Sequence, residues 1–89
     1  MLTGMNTEIE YKGKVYHVQT EDGGSSHPVV TTLLFKEGAI FLSRKTHYAD
    51  REEKDRSPEA VKALMKEQHK MVLKELVGGR IPLPSGREA

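Results

Sequence analysis

Apolar and charged side chains alternate early in the chain. Residues 7–12 read Thr-Glu-Ile-Glu-Tyr-Lys, with Ile9 and Tyr11 spaced by charge, and residues 14–20, Lys-Val-Tyr-His-Val-Gln-Thr, are β-branched and aromatic. A period of two in such residues predicts two strands. Gly13 between them supplies the positive φ that a tight hairpin turn needs. With Lys12-Gly13 as the loop, Tyr11 pairs with Lys14 and Ile9 with Tyr16. Ile9, Tyr11, Tyr16 and Val18 then share a core face, and Glu8, Glu10, Val15, His17 and Gln19 take the other.

Residues 21–28, Glu-Asp-Gly-Gly-Ser-Ser-His-Pro, read as a flexible loop. Neither a phosphate loop nor a calcium loop fits them: no Gly-Lys-Ser/Thr follows, and no regular series of oxygen ligands. Residues 29–35, Val-Val-Thr-Thr-Leu-Leu-Phe, are the most apolar run and, with residues 39–44, Ala-Ile-Phe-Leu-Ser-Arg, predict a second hairpin around Lys36-Glu37-Gly38. Its turn is either a two-residue loop or a longer one with a bulge at Gly38, and the choice exchanges the faces of the fourth strand. Both strands are apolar on two sides. Val29, Leu33 and Phe35 point one way and Val30 and Leu34 the other; Ile40 and Leu42 oppose Phe41. A sheet with one wet face alternates more cleanly, so these strands are expected to be central or covered twice.

After a polar connection, the pattern changes period. Ser57-Pro58-Glu59 is a helix start, with Ser57 as N-cap, Pro58 in the first helical position and Glu59 at the positive end of the dipole. Val61, Leu64, Met65, Val72 and Leu76 form one stripe at helical spacing, and Gly78-Gly79 stops the helix after about Val77. The expected fold is α+β: a four-stranded antiparallel sheet of two hairpins, then one long amphipathic helix on one face (ββββα). The domain is expected over residues 7–79, with residues 1–6 disordered and residues 80–89, which carry Ile81-Pro82-Leu83-Pro84, an extended or disordered tail. One helix covers one face. Val30, Leu34 and Phe41 are therefore the expected uncovered patch and the candidate surface for a protein partner or a homodimer, with Ile81 and Leu83 folding back as the competing explanation.

Composition narrows the function classes. The 89 residues hold 36% hydrophobic and 30% charged residues, enough for one modest core. With 14 basic and 13 acidic residues the net charge is +1, which disfavours nucleic acid as a partner. There is no cysteine, so disulfides, thiolate metal sites and cysteine nucleophiles are excluded. No apolar run reaches the ~20 residues of a membrane span. Residues 1–6 have neither a basic nor an apolar signal region, so a cytoplasmic location is the expectation.

Candidate chemistry is sparse. His17, His27, His47 and His69 show no diagnostic ligand spacing, so metal is disfavoured, and no cofactor motif occurs. Gln68 falls inside the apolar stripe with His69 at its margin. The ordinary reading is a satisfied buried amide, bonded to Thr31, Thr32, a tyrosine hydroxyl or a strand-end backbone group. The sharper reading is a polar pocket shared by Tyr16, His17, Gln68 and His69. Lys62, Lys66, Lys70 and Lys74 repeat every four residues on the outer side of the helix. They are an ordinary solvated face or, alternatively, a surface for an anionic partner such as nucleic acid or membrane.

Three segments also carry a resemblance. Tyr16-His17-Val18-Gln19-Thr20-Glu21-Asp22, Lys45-Thr46-His47-Tyr48-Ala49-Asp50 and Leu64-Met65-Lys66-Glu67-Gln68-His69-Lys70 together resemble a small uncharacterised bacterial domain family over roughly residues 8–78. The resemblance implies a unit that folds on its own and brings no catalytic or binding residue with it. The leading expectation is a non-enzymatic interaction module that self-associates through a sheet face or edge. Binding of an anionic partner comes second, and a small ligand-binding or enzymatic domain last.

Overall fold

A computed structural model describes residues 4–81. Within them lie β1 (Met5–Tyr11), β2 (Lys14–Asp22), β3 (Val29–Lys36), β4 (Ala39–His47), one 3-10 turn (Glu53–Arg56) and α1 (Pro58–Val77). The strands form one antiparallel sheet in chain order, and α1 packs on one face of it. This is the ββββα arrangement that the sequence pattern predicts. Because the order is a simple meander, β2 and β3 are central while β4 is an edge; of the two readings open for the later strands, central or covered twice, a central place holds for β3 and not for β4.

Both hairpins turn on two residues with positive φ, Lys12 at 54° with Gly13 at 79°, and Glu37 at 53° with Gly38 at 83°. A turn of this kind follows the natural twist of the strands. The first hairpin has the expected register, Ile9 against Tyr16 and Tyr11 against Lys14. The second resolves its two alternatives by using a feature of each. Lys36 pairs with Ala39 across the two-residue loop, and a bulge follows at once: Phe35 opposes Ile40, but Leu34 opposes Leu42. Phe41 is the extra residue. Phe41 and Leu42, adjacent in sequence, therefore both pack on the core beneath the helix, with the Phe41 and Tyr16 rings edge to face at 6.3 Å. The bulge explains how an edge strand reads as apolar on two sides.

Pairing of β2 with β3 then decides which side is inside. Val18 opposes Leu34, Thr20 opposes Thr32, and Asp22 opposes Val30, so the core face of the first hairpin continues into Val30, Thr32 and Leu34. Val30 and Leu34 are 0% exposed beneath the helix. They are not the outer patch expected of them, and Phe41 faces the core as well. The outer residues of β3 are Val29, Thr31, Leu33 and Phe35. Loop 23–28 sets this parity, and a strand apolar on both sides does not reveal it.

Two apolar clusters fill the space between sheet and helix. One gathers Tyr16, Val18, Leu34, Val72, Leu76 and Ile81; the other gathers Val30, Tyr48, Val61 and Met65, with Met5 and Leu64 packed against it. Burying each large aliphatic side chain contributes roughly 1.5–3 kcal/mol. The domain is longer at both ends than its sequence boundaries: β1 begins at Met5, and Ile81 closes the first cluster instead of starting a free tail. Leu83 and the rest of residues 82–89, like residues 1–3, lie outside the described residues. Helix α1 begins as expected, with the Ser57 hydroxyl accepting the Ala60 N–H at 3.1 Å. Toward its other end the Arg44 guanidinium grips the Glu75 carboxylate through two bonds of 2.8 Å, tying β4 to the helix.

Candidate functional site

Between the two apolar clusters runs a polar belt. Each strand contributes one threonine, Thr7, Thr20, Thr32 and Thr46, along a diagonal of the sheet, and the helix lays Gln68 and His69 along it. His69 Nε2 meets the Thr7 hydroxyl at 2.8 Å, and its Nδ1 meets Thr20 at 2.7 Å. Thr20 and Thr32 bond each other at 2.7 Å. The Gln68 amide nitrogen donates to Thr32 at 2.9 Å and to the carbonyls of Val30 at 3.2 Å and Arg44 at 3.1 Å, while its oxygen accepts the Thr46 hydroxyl. Among the described residues, no sealed side-chain nitrogen or oxygen lacks a partner. The fully bonded amide was legible in the sequence; the threonine series was not. Its members sit on different strands, and only the register lines them up.

A belt so saturated holds the helix in place and offers nothing to a substrate. Both imidazole nitrogens of His69 are engaged, and burial lowers its pKa below the ordinary imidazole value. The polar pocket envisaged for Tyr16, His17, Gln68 and His69 is dispersed. Tyr16 lies in the apolar cluster. His17 sits on the opposite face of the sheet, stacked on Phe35 at 5.6 Å and 15° between planes, with its Nε2 3.8 Å from the Glu8 carboxylate. Sheet pleating separates the two histidines: His17 is one residue out of phase with Tyr16 and Val18.

The remaining candidates divide by surface. Lys62, Lys66, Lys70 and Lys74 are exposed on the far side of α1, and no ion pair engages them among the described residues. Among the described residues no three histidine or carboxylate groups gather into a cation cluster, and no helix is long and apolar enough to cross a membrane. The sheet face turned away from α1 carries Val15 and His17 from β2, Leu33 and Phe35 from β3, and Ile40 from β4 at its hairpin end. Val15 is 47% exposed and Ile40 60%. Glu8 and Glu10 border this patch on β1; Ser43, Lys45 and His47 continue the same face along β4.

At the other end of the sheet is a cleft that sequence reasoning missed, lined among others by Asp22, Ser25, Tyr48, Arg56, Pro58 and Val61. Asp22 Oδ1 accepts the Tyr48 hydroxyl and the Gly24 N–H at 3.1 Å. Burial, together with this carboxylate bond, pushes the Tyr48 phenol up to about 12, so the ring stays neutral and donates. A signal exists in the sequence: counting by twos from Thr20 and from Thr46 puts Asp22 and Tyr48 on the inner face, although residues 21–28 and the polar connection from Thr46 to Arg56 carry loop composition. Residues 16–22, 45–50 and 64–70 meet through these bonds: Thr20 with His69, Thr46 with Gln68, Asp22 with Tyr48. No protein-family model, curated protein or solved structure matches the chain.

Proposed function

We propose that this domain is a non-enzymatic interaction module of the small bacterial family it resembles, cytoplasmic, and that it pairs with a second copy of itself through the sheet face that α1 leaves bare. The carrying observation is the patch of Val15, Leu33, Phe35 and Ile40, over which no described element passes. A chain this short gains limited stability from one core, so burying a second apolar face between copies is a favourable source of more. The face is preferred to an edge on physical grounds. The edge strand β1 carries Glu8 and Glu10, and β4 carries the bulge; both features oppose strand addition.

Acidic Glu8 and Glu10 lie on the β1 side, and Lys45 and His47 on the β4 side. A twofold axis parallel to the strands lays β1 of each copy over β4 of the other at the same height, which sets Glu8 over the Ile40 row of its partner and leaves Lys45 and His47 beyond it, so the apolar patch carries the pairing. Sedimentation equilibrium at roughly 100 μM is expected to give a dimer, a standard-sized interface being capable of micromolar affinity or better. The double change Leu33→Glu with Ile40→Glu is expected to give a monomer with an unchanged far-UV spectrum. A wild-type monomer at that concentration overturns the proposal.

A further inference from the structure

The cleft at the junction of β2, β3, β4 and the start of α1 encloses about 340 Å3, within the range of small-molecule sites, roughly 300–1,000 Å3. Its floor is the carboxylate of Asp22, a residue only 5% exposed. One oxygen, Oδ1, is saturated by Tyr48 and Gly24. The other, Oδ2, takes no hydrogen bond from the described residues, and Asp22 lines the cleft. The loop holds the carboxylate firmly. Gly24 is buried at φ 83°, and a Cβ on Gly23 would lie 2.1 Å from the His27 carbonyl oxygen, so neither position accepts an ordinary side chain.

At the rim stands Arg56, whose Nε donates to the Arg51 carbonyl at 2.8 Å while its terminal nitrogens have no partner among the described residues. Arg56 and Asp22 form no ion pair within 4.0 Å. Opposite charges thus share one cleft without neutralising each other, and Pro58 and Val61 supply an apolar wall. The positive end of α1 adds to the arginine side. We infer that this cleft binds a small apolar zwitterion of the α-amino-acid class, its ammonium group on Asp22 Oδ2, its carboxylate on Arg56 and its side chain against Pro58 and Val61. The inference stands independently of the self-association proposed above, because the cleft lies away from the bare face.

The test is an amide-resolved NMR titration of the full chain with L-leucine, L-leucinamide (ammonium only) and N-acetyl-L-leucine (carboxylate only). Leucine is expected to shift the amides of Gly24, Ser25, Tyr48 and Val61 saturably, with Kd on the order of 1 mM, and masking either charge is expected to weaken binding about tenfold. Arg56→Gln, an exposed change away from the core, is expected to erase the preference for leucine over leucinamide. Asp22→Asn keeps an acceptor oxygen for Tyr48 and Gly24 and is expected to erase the preference for leucine over N-acetyl-leucine. Absence of saturable shifts with all three probes up to about 50 mM overturns the inference, as do equal affinities for the three or a charge preference that survives both substitutions.

Discussion

The two faces of this sheet are built from the same strands and differ by single residue steps, yet they obey opposite rules. Beneath the helix, apolar clusters flank a polar belt in which Thr7, Thr20, Thr32, Thr46, Gln68 and His69 are bonded without remainder. On the other side Val15, His17, Leu33, Phe35 and Ile40 face outward with charged neighbours at the margins. Polar residues are buried on one face, while on the other Val15 and Ile40 are exposed and Leu33 and Phe35 half-buried. Side-chain class is thus a poor guide to burial where register and parity decide it. The buried belt has a positional consequence. An apolar helix stripe slides over an apolar sheet at little cost, whereas Gln68 and His69 meet their partners at a single helix position.

The sharpest break in the comparison comes from neighbours in sequence. Leu34→Ala empties a fully buried site between Tyr16, Val72 and Leu76 and is expected to destabilise the fold by about 3 kcal/mol. Leu33→Ala removes the same atoms from a half-buried site on the face without the helix, and at low protein concentration is expected to cost about 1 kcal/mol or less. Chemical denaturation of both at low micromolar concentration measures the difference. Equal losses would show that the two faces are equally covered.

Next in size is the belt. Gln68→Ala removes the partner of the Thr46 hydroxyl and one bond each from Thr32 and from the Val30 and Arg44 carbonyls, which stay paired along the β3–β4 ladder, and is expected to cost about 1–3 kcal/mol. Gln68→Leu keeps much of the volume but makes none of these bonds, so it is expected to recover less than half of that loss. Were leucine instead to stabilise the domain, the belt would have no role in holding the helix, and the contrast between the faces would reduce to burial alone.

Much of this architecture was legible in the chain, and what was not has definable causes. The first hairpin, the Ser57-Pro58 helix start and the helical stripe follow from local rules, in which a turn glycine, a cap or a period leaves its own trace. The identity of the bare face does not. It depends on how loop 23–28 brings β3 back beside β2, and Val29–Phe35 is apolar in either setting. Ile81 reads as tail because a single apolar residue between glycines and prolines has no period. Asp22 and Tyr48 read as loop because strand ends carry the weakest signal, although their parity with Thr20 and Thr46 was available. Gln68 was placed correctly, since an amide within an apolar stripe has to find partners.

Acid is expected to weaken the covered face selectively. In the unfolded chain His69 titrates near its ordinary value of 6.5, while burial holds its folded value lower. Between the two values the unfolded chain binds a proton that the folded chain does not. The contribution is neutral above pH 6.5 and turns increasingly destabilising as pH falls from there toward the folded value, where it levels off. Thermal unfolding of the wild type across this window is expected to show a steeper fall in Tm than that of His69→Gln, whose amide does not titrate there. Parallel pH profiles would mean that the imidazole is not desolvated by the belt.

The smallest expected effect lies at the border between the two faces. The Arg44–Glu75 pair, joined by two bonds of 2.8 Å, lies at the rim of the covered side, with 36% of the arginine and 19% of the glutamate side chain exposed. Glu75 is held below the usual carboxylate range, chiefly by its hydrogen bonds to Arg44 and against the opposing effect of desolvation. Partial solvation screens such a pair, so Glu75→Gln is expected to cost about 0.5–1 kcal/mol. Arg44→Lys, which keeps the charge but loses the fork, is expected to cost nearly as much, because the lysine ammonium cannot reproduce the two parallel bonds. The sign with pH is opposite in form to that of a group whose folded pKa is raised. Stability from Glu75 is complete above its unfolded value of about 4.5 and is lost as pH falls through the lower folded value. A double-mutant cycle between the two positions measures their coupling, and a coupling indistinguishable from zero would leave the belt and the apolar clusters as the sole ties between helix and sheet.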